Sequence, residues 1–348
     1  MRRRRGTGIL RQTEDWALAR VSLAGLLLVL VAGSGANVLG SVRQGDSTEA
    51  GRRAYESSDY AKAVMELQAA AAKEPQNAEI QLLLTKAYLE LQERDAAINS
   101  AEKAVAIDPK SSVYHEWLGR AYGEKADHSA MFAAVGLAKK THREFEIAVE
   151  LDEKNFAARQ ALIEFDCAAP GMVGGGEEKA KPQIEKLQGM DASEWHYAAG
   201  NCRRQKKDLA AADAEFKLAL ESHPKSADLI FDIGDYAVRR GKGERLIEVG
   251  ELGGEVAPAD PRGMFYRAVG LILKKEKPEE AEKLLREYLK KAPTRSSYPR
   301  YATAHEWLGR LQEGKGDREA AATEYQAALK LDPKDKTVRE ALKRLEKN

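Results

Sequence analysis

Six of the 11 prolines recur along the chain, and three of the five intervals between them are 34 or 35 residues long. They are Pro75, Pro109, Pro224, Pro258, Pro293 and Pro333. The first two lie 34 residues apart, as do the third and the fourth, and the fifth follows after 35 residues. A fixed period of about 34 residues with helical content is typical of a solenoid built from helix–turn–helix units. The spacing therefore predicts a stack of helical hairpins.

Small residues recur at two positions within this period. One position holds Gly51, Gly119, Gly200, Gly234 and Gly309, and the other holds Ala63, Ala97, Ala212, Ala281 and Ala321. Two helices joined by a short turn pack closely only where bulky side chains are absent from the crossing point. The glycines and alanines are therefore predicted to mark that crossing, with large residues such as Phe145, Phe216 and Tyr325 filling the spaces between units.

The composition favours helices over sheets. Of the 348 residues, 43% are hydrophobic and 32% are charged, but only 7% are aromatic. Alternating runs of Val, Ile and Thr bounded by turn residues, which would indicate strands, are missing from the sequence. An all-α fold is predicted.

These marks resemble the tetratricopeptide repeat (TPR) family, whose units carry Leu-Gly in the first helix, Ala and an aromatic residue in the second, and Pro at the end. The stretch GDREAAATEYQAALKLDPKD at 316–335 is the clearest copy. The resemblance implies a right-handed α-solenoid of about eight repeats over residues 44–335. The repeats are expected near 44–77, 78–111, 112–155, 156–192, 193–226, 227–261, 262–301 and 302–335.

Both ends of the chain differ from the repeats. Residues 336–348 carry one apolar stripe of Val338, Leu342 and Leu345, which predicts a helix that caps the last repeat. Residues 1–43 contain four consecutive arginines and the apolar run VSLAGLLLVLV. This pattern predicts an export signal, cleaved after Ala36, or an uncleaved membrane anchor.

Export would place the solenoid on the far side of the cytoplasmic membrane, in the periplasm or an equivalent compartment, because the arginine cluster stays in the cytoplasm. The six arginines of residues 1–36 outweigh Glu14 and Asp15 by four charges, so the formal net charge of +1 leaves the remainder near −3. A mildly acidic body argues against nucleic acid as a partner.

The word HEWLGR occurs twice, at 115–120 and at 305–310. In both copies the histidine, His115 or His305, stands at residue 4 of a repeat, and His196 stands there in a third repeat. A position shared by three units indicates packing, so we expect no metal site and no cofactor. Cys167 and Cys202 are the two cysteines; two buried free thiols are expected, with a disulfide as the alternative in an exported chain.

The TPR resemblance implies a concave groove lined by the first helix of each repeat. The side chains expected to project into it are Glu79, Lys86, Glu116, Arg120, Tyr197, Asn201, Arg204, Phe231, Asp235, Arg239, Glu306 and Arg310, with Glu90 beside them. Such a mixed-charge surface suits an extended peptide or a partner helix. Leu83 and the lack of asparagines around Lys86 argue against the TPR subclass that grips C-terminal carboxylates.

Four segments depart from the regular repeat pattern. Repeat 3 has ten extra residues between its helices, and repeat 4 has a glycine-rich stretch at 169–180. Their apolar residues Met131, Phe132, Val135, Met172 and Val173 are expected either to cover one another as a small satellite core or to form an exposed docking patch. In repeat 6, Gly250, Gly253 and Gly254 predict a hinge or a fraying helix. The stretch 294–301 predicts a second joint.

No nucleophile motif, carboxylate pair or metal triad is found that the repeats do not explain. The function predicted from the sequence is therefore a non-catalytic scaffold, exported or membrane-anchored, that binds a protein or peptide partner in its groove. A structural or self-assembling envelope component is the alternative, and an enzyme with an unrecognised site is the weakest interpretation.

Overall fold

The structure is a computed structural model that describes residues 46–347. Within that range it contains 17 α-helices, one 3₁₀ turn at Gly171–Val173 and no β-strand. The helices are α1 (Asp46–Glu56), α2 (Tyr60–Lys73), α3 (Ala78–Glu90), α4 (Arg94–Ile107), α5 (Ser112–Asp127), α6 (Met131–Leu151), α7 (Phe156–Ala168), α8 (Glu177–Gln188), α9 (Ala192–Gln205), α10 (Leu209–Glu221), α11 (Ala227–Arg240), α12 (Gly243–Val256), α13 (Arg262–Lys274), α14 (Pro278–Lys291), α15 (Tyr301–Lys315), α16 (Arg318–Leu331) and α17 (Lys336–Lys347). The predicted all-α fold is confirmed.

Consecutive helices pack as eight hairpins, α1–α2 to α15–α16, and α17 follows the last one. Short polar side chains start many of these helices by accepting hydrogen bonds from backbone N–H groups that the helix leaves unpaired. Asn77 and Asn155 cap the first helices α3 and α7, whereas Asp59, Asp208 and Asp317 cap the second helices α2, α10 and α16. The same local chemistry therefore sets the hairpin turns along the solenoid.

At three of the helix crossings, a glycine of the first helix lies against an aromatic ring of the same unit. A Cβ atom added at Gly119 would lie 2.6 Å from the Phe145 ring, and one added at Gly200 would lie 2.6 Å from the Phe216 ring. The predicted small residues are thus at the crossings. The aromatic residues do more than fill the spaces between units, because each ring also covers the glycine of its own hairpin.

The two helices of each hairpin lie in different layers. First helices of neighbouring hairpins contact each other directly, as α3 does with α5 and α11 does with α13, in addition to their contacts with second helices. Helices on the inside of a curved stack stand closer together than those on the outside, so the first helices form the concave face. We call the side chains that the first helices present there the inner wall.

The insertion in repeat 3 lengthens both helices of the hairpin. Helix α6 has 21 residues, whereas the other second helices have 12 to 14. Helix α5 has 16 residues, whereas the other first helices have 11 to 15. Val173 of the 3₁₀ turn is 1% exposed and packs with Ala138, Phe165 and Ala169, against which Val135 also lies. The expected satellite core is therefore present.

The glycines of α12 allow two helices to touch backbone to backbone. A Cβ atom at Gly250 would lie 2.7 Å from the carbonyl oxygen of Gly263 in α13, and one at Gly270 would lie 2.7 Å from the carbonyl oxygen of Gly243. The helix itself runs without interruption from Gly243 to Val256. The structure thus gives these glycines a packing role in place of the predicted fraying.

Cys167 and Cys202 form a disulfide, with Cα atoms 5.3 Å apart. They lie on α7 and α9, the first helices of consecutive hairpins, which pack directly against each other. The expectation of two free thiols is therefore wrong. The sequence separation of 35 is close to one repeat, so both cysteines stand at neighbouring positions of the inner layer, within the range of Cα distances that a disulfide allows.

At the C-terminus, α17 covers the last hairpin as predicted. Val338 and Ala341 are buried against Ala321, Tyr325 and Ala328, and Leu342 and Leu345 pack beside them. The predicted signal or anchor of residues 1–43 lies outside the described residues. Among residues 46–347, no helix is both long and apolar enough to cross a membrane.

The three histidines at residue 4 of their repeats share one arrangement. The Nδ1 atom of His115 lies 2.6 Å from Glu144, that of His196 lies 2.8 Å from Glu215, and that of His305 lies 2.7 Å from Glu324. In each case the glutamate belongs to the second helix of the same hairpin. The recurring histidine is therefore one half of a pair that joins the two helices.

Glu324 shows how such a pair affects stability. Burial would raise the pKa of Glu324, but its hydrogen bond to His305 and the charges of His305 and Arg286 outweigh burial and hold that pKa below its ordinary value. A carboxyl group with a lowered pKa in the folded state stabilises the protein above its unfolded pKa. This contribution is lost as the pH falls through the folded value.

We expect Glu324→Gln to lower the free energy of unfolding by about 1–2 kcal/mol at pH 7, because a buried charged hydrogen bond is removed. The difference from the wild type should shrink below about pH 4, where both proteins carry a neutral group. Urea titrations at several pH values measure it. Glu319→Gln, at an exposed site of the same helix, is the control; an equal loss in both variants would contradict the role of the pair.

Candidate functional site

Near the N-terminus, the inner wall carries charges that are already paired. Arg52 of α1 donates to Glu79 of α3 at 2.5 Å. Lys86 lies over the ring of Trp117, 4.6 Å from its centroid, and burial lowers the pKa of Lys86. These predicted groove residues lie on the first helices, but their strongest contacts are with neighbouring repeats.

Four further predicted groove residues are also paired, in this case within their own helices. Glu116 is buried and accepts from Arg120 at 2.9 Å, and Glu306 accepts from Arg310 at 2.6 Å. Arg310 also lies over the ring of Trp307, which is buried in the core between repeats. These i, i+4 pairs mainly stabilise the helix on which they lie.

The middle of the inner wall is different, because α11 presents a row of carboxylates. Asp228, Asp232 and Asp235 lie four and three residues apart, which places them on one face of the helix. All three are exposed to solvent. We call them the α11 carboxylate row. Of the three, only Asp235 was predicted from the sequence to line the groove; the i, i+4, i+7 spacing of the aspartates would have identified the other two.

Side chains from the neighbouring first helices hold each member of this row. The Tyr197 hydroxyl of α9 donates to Oδ2 of Asp232 at 2.8 Å, and the Tyr266 hydroxyl of α13 donates to Oδ1 of Asp235 at 2.8 Å. Each bond engages one oxygen of a solvent-exposed carboxylate. The other oxygen can therefore accept a hydrogen bond from a partner.

The charged forms of Asp232 and Asp235 are disfavoured even though solvent reaches both side chains. Crowding by protein on the curved wall, together with the nearby charges of Asp235, Glu164 and Asp228, raises the pKa of Asp232 to about 6. Burial also raises the pKa of Asp235. Carboxylates whose charged form is disfavoured in this way gain most from an approaching cation.

Arginines flank the row and leave its centre acidic. Arg262 donates to Asp228 at 2.8 Å and to Asp260 at 2.7 Å, and Arg204 donates to Glu164 at 3.3 Å. Arg239 is exposed at the end of α11. Both ends of the row therefore lie near positive charge, whereas Asp232 in the middle is held by a neutral tyrosine.

Two predicted groove residues are not available to a partner. Phe231 is 1% exposed, with its ring against Tyr266 and beneath the guanidinium of Arg262. It belongs to the core because α11 turns its aspartates, one and four residues away, to the inner wall instead. Asn201 is also buried and bonds to Tyr197, so its role is to position that tyrosine.

The predicted docking patch is only partly exposed. Val173 is buried and Val135 is partly covered, as described above. Met131, Phe132 and Met172 are 74%, 90% and 69% exposed at the start of α6 and in the adjacent turn. The inner residues thus form the satellite core, whereas the tip is apolar and exposed; docking of a partner at the tip stays a prediction.

No group of three or more His, Cys, Asp or Glu side chains within residues 46–347 is arranged to hold a metal ion.

Comparisons with known proteins agree with this architecture. Two tetratricopeptide repeat family models match residues 54–121 and 271–336. No curated protein matches the chain significantly.

Several solved structures are similar to this chain. The MamA protein is 21% identical, with a TM-score of 0.39 over 51% of this chain and 91% of MamA. A tetratricopeptide repeat protein from Parabacteroides merdae is 14% identical, with a TM-score of 0.38 over 88% and 99% of the two chains. PilF of Pseudomonas aeruginosa is 14% identical, with a TM-score of 0.42 over 76% and 95%. None of these likenesses bears on function.

The matched models cover residues 54–121 and 271–336, and Gly200 and Gly234 mark helix crossings of the same kind in the hairpins between these segments. In both matched segments, this chain therefore consists of tetratricopeptide repeats.

Proposed function

We propose that this protein is a non-catalytic scaffold that binds an extended, positively charged segment of a partner protein along the inner wall. The observation that carries the proposal is the α11 carboxylate row, which stands on the concave face with solvent-exposed oxygens. TPR proteins generally bind other proteins, and an acidic strip on the inside of a curved stack would select a basic segment.

The tyrosines beside the row add to this proposal. Tyr197 and Tyr266 fix the positions of Asp232 and Asp235 before a partner arrives, so little side-chain freedom is lost on binding. A lysine or arginine brought to Asp232 would also stabilise its charged form. Affinity should therefore fall as the pH drops through about 6, where Asp232 becomes neutral.

We also propose that the protein works outside the cytoplasm, as an exported or membrane-anchored chain. The basic and apolar N-terminal segment supports this location. The disulfide between Cys167 and Cys202 supports it independently, because such bonds persist in oxidising compartments and are rare in the cytosol.

Replacing both Asp232 and Asp235 by Asn tests the binding site. Asn keeps an oxygen that can accept the tyrosine hydrogen bond but removes the charge. We expect the double variant to recover a basic partner from the native cell envelope at least about tenfold less well, since two charge pairs are lost. Quantitative mass spectrometry after cross-linking and pull-down measures this.

Glu150→Gln with Glu279→Gln is the matched control, because it removes two exposed charges from the second helices α6 and α14. The control should recover the same partners as the wild type. If the Asp232 and Asp235 variant also recovers them unchanged, at pH 7.5 and at pH 5.5, then the α11 carboxylate row is not the binding site.

A further inference from the structure

The segment that joins α14 to α15, residues 293–300, touches the opposite end of the solenoid. We call it the strap. The backbone oxygen of Thr294 accepts from the Tyr60 hydroxyl at 2.9 Å. Ser296 donates from its backbone N and its Oγ to the two carboxylate oxygens of Glu90, both at 3.0 Å. These contacts join residues more than 200 positions apart, so the solenoid closes on itself.

Arg295 makes the third contact of the strap. Its guanidinium donates to the backbone oxygens of Tyr55 at 3.4 Å and Glu56 at 3.0 Å. The same guanidinium lies over the Tyr55 ring, 5.1 Å from the centroid. An exposed C-terminal end of α1 thus provides the carbonyl groups and the aromatic face that an arginine prefers.

The base of the strap is fixed to the other side of the molecule. The Tyr298 hydroxyl donates to Asp260 at 3.3 Å, and the Tyr298 ring lies under Arg262 at 4.7 Å. The Tyr288 hydroxyl donates to the backbone oxygen of Pro299 at 2.5 Å. The strap therefore has a firm base beside α13 and a tip that reaches across to α1 and α3.

The tip is held by contacts that can exchange. Thr294, Ser296 and Glu56 are exposed, and polar contacts of this kind each contribute about 1 kcal/mol or less. The Nε atom of Arg295 is buried with no hydrogen-bond partner among the described residues, so the fit of the arginine is incomplete. The surface of Tyr55, Tyr60 and Glu90, which we call the N-terminal notch, is therefore occupied but weakly so.

We propose that the N-terminal notch is a binding site for an extended segment in which an arginine is followed by a serine or threonine, and that the strap occupies it in this closed form. Each part of the notch matches one part of such a segment. Tyr55 and the end of α1 take the guanidinium, Glu90 takes the hydroxyl and the N–H beside it, and Tyr60 takes the preceding carbonyl. A partner segment of the same chemistry would displace the strap and open the ring.

A labelled peptide with the sequence of residues 293–299, Pro-Thr-Arg-Ser-Ser-Tyr-Pro, tests the notch. In the wild type the tethered strap competes at an effective concentration on the order of millimolar. We expect the Arg295→Ala, Ser296→Ala double variant, which keeps the notch but removes the guanidinium and the hydroxyl of its occupant, to bind the peptide at least about tenfold more tightly. Fluorescence polarisation measures the affinity, and small-angle X-ray scattering should show a larger maximum dimension for the double variant.

Two controls assign the binding to the notch. Adding Glu90→Gln to the double variant should return peptide affinity to the wild-type level, and the peptide with Arg replaced by Ala should not bind. The Asp232→Asn, Asp235→Asn variant should bind as the wild type does, because the α11 carboxylate row is not involved; the two proposals can thus fail separately. Equal peptide affinity in the wild type and the double variant, with unchanged scattering, would overturn the proposal.

Discussion

Removal of the Cys167–Cys202 disulfide is expected to lower the free energy of unfolding by about 3–4 kcal/mol, because the cross-link restricts the unfolded chain over a sequence separation of 35 residues. The bond joins α7 and α9, so it fastens repeat 4, whose glycine-rich turn lies outside the regular period, to repeat 5. Urea denaturation of the Cys167→Ala, Cys202→Ala variant against the oxidised wild type measures the loss. Hydrogen exchange should show that it is largest in α7 to α9.

A reducing agent provides the control. It should destabilise the wild type by a similar amount and leave the double variant unchanged. A wild type whose stability does not respond to reduction would contradict the prediction.

The same bond also tests the proposed location. Thiol labelling of cells should find Cys167 and Cys202 oxidised in the full-length chain but reactive in a chain that lacks residues 1–36, because the cytosol keeps thiols reduced.

Gly250→Ala is expected to lower the free energy of unfolding by about 2–3 kcal/mol, although alanine is the better helix former. The added methyl group would stand 2.6 Å from the backbone N of Arg267 and 2.7 Å from the backbone oxygen of Gly263. Neither atom can move without α13, so the two helices must separate. Thermal or urea unfolding measures the effect.

Gly254→Ala, in the same helix, is the matched control. A Cβ atom at Gly254 meets nothing within 4 Å. This variant should therefore gain roughly 0.5–1 kcal/mol from helix propensity. If both substitutions stabilise the protein, the close contact between α12 and α13 is not present in solution and the predicted hinge regains support.

The repeat pattern predicted the fold because the same physical demand recurs in each unit. Gly119 and Gly200 have to be small where two helices cross, and Ala212 and Ala321 are fully buried for the same reason. The role of the histidines as packing elements also followed from their shared position. A repeat pattern cannot reveal side-chain contacts that occur in only one place in the chain.

The contacts of the inner wall occur only once. The family pattern assigns Phe231 to the groove and does not assign Asp232 to it. In the structure Phe231 is buried and Asp232 is exposed on the inner wall. The orientation of α11 decides this, and it depends on contacts with two neighbouring hairpins. The contacts of Arg295 and Ser296 with α1 and α3 depend on the curvature of the whole stack, which is a sum over all its units.

The hydrogen bonds that hold the α11 carboxylates all come from other units: Tyr197 belongs to the hairpin before, and Tyr266 and Arg262 belong to the hairpin after. The proposed binding surface thus depends on three hairpins, although each hairpin is a repeat of the same unit. Transplanting one hairpin into another solenoid would carry the aspartates but leave their supports behind. The smallest portable piece of this protein is three consecutive hairpins, α9 to α14.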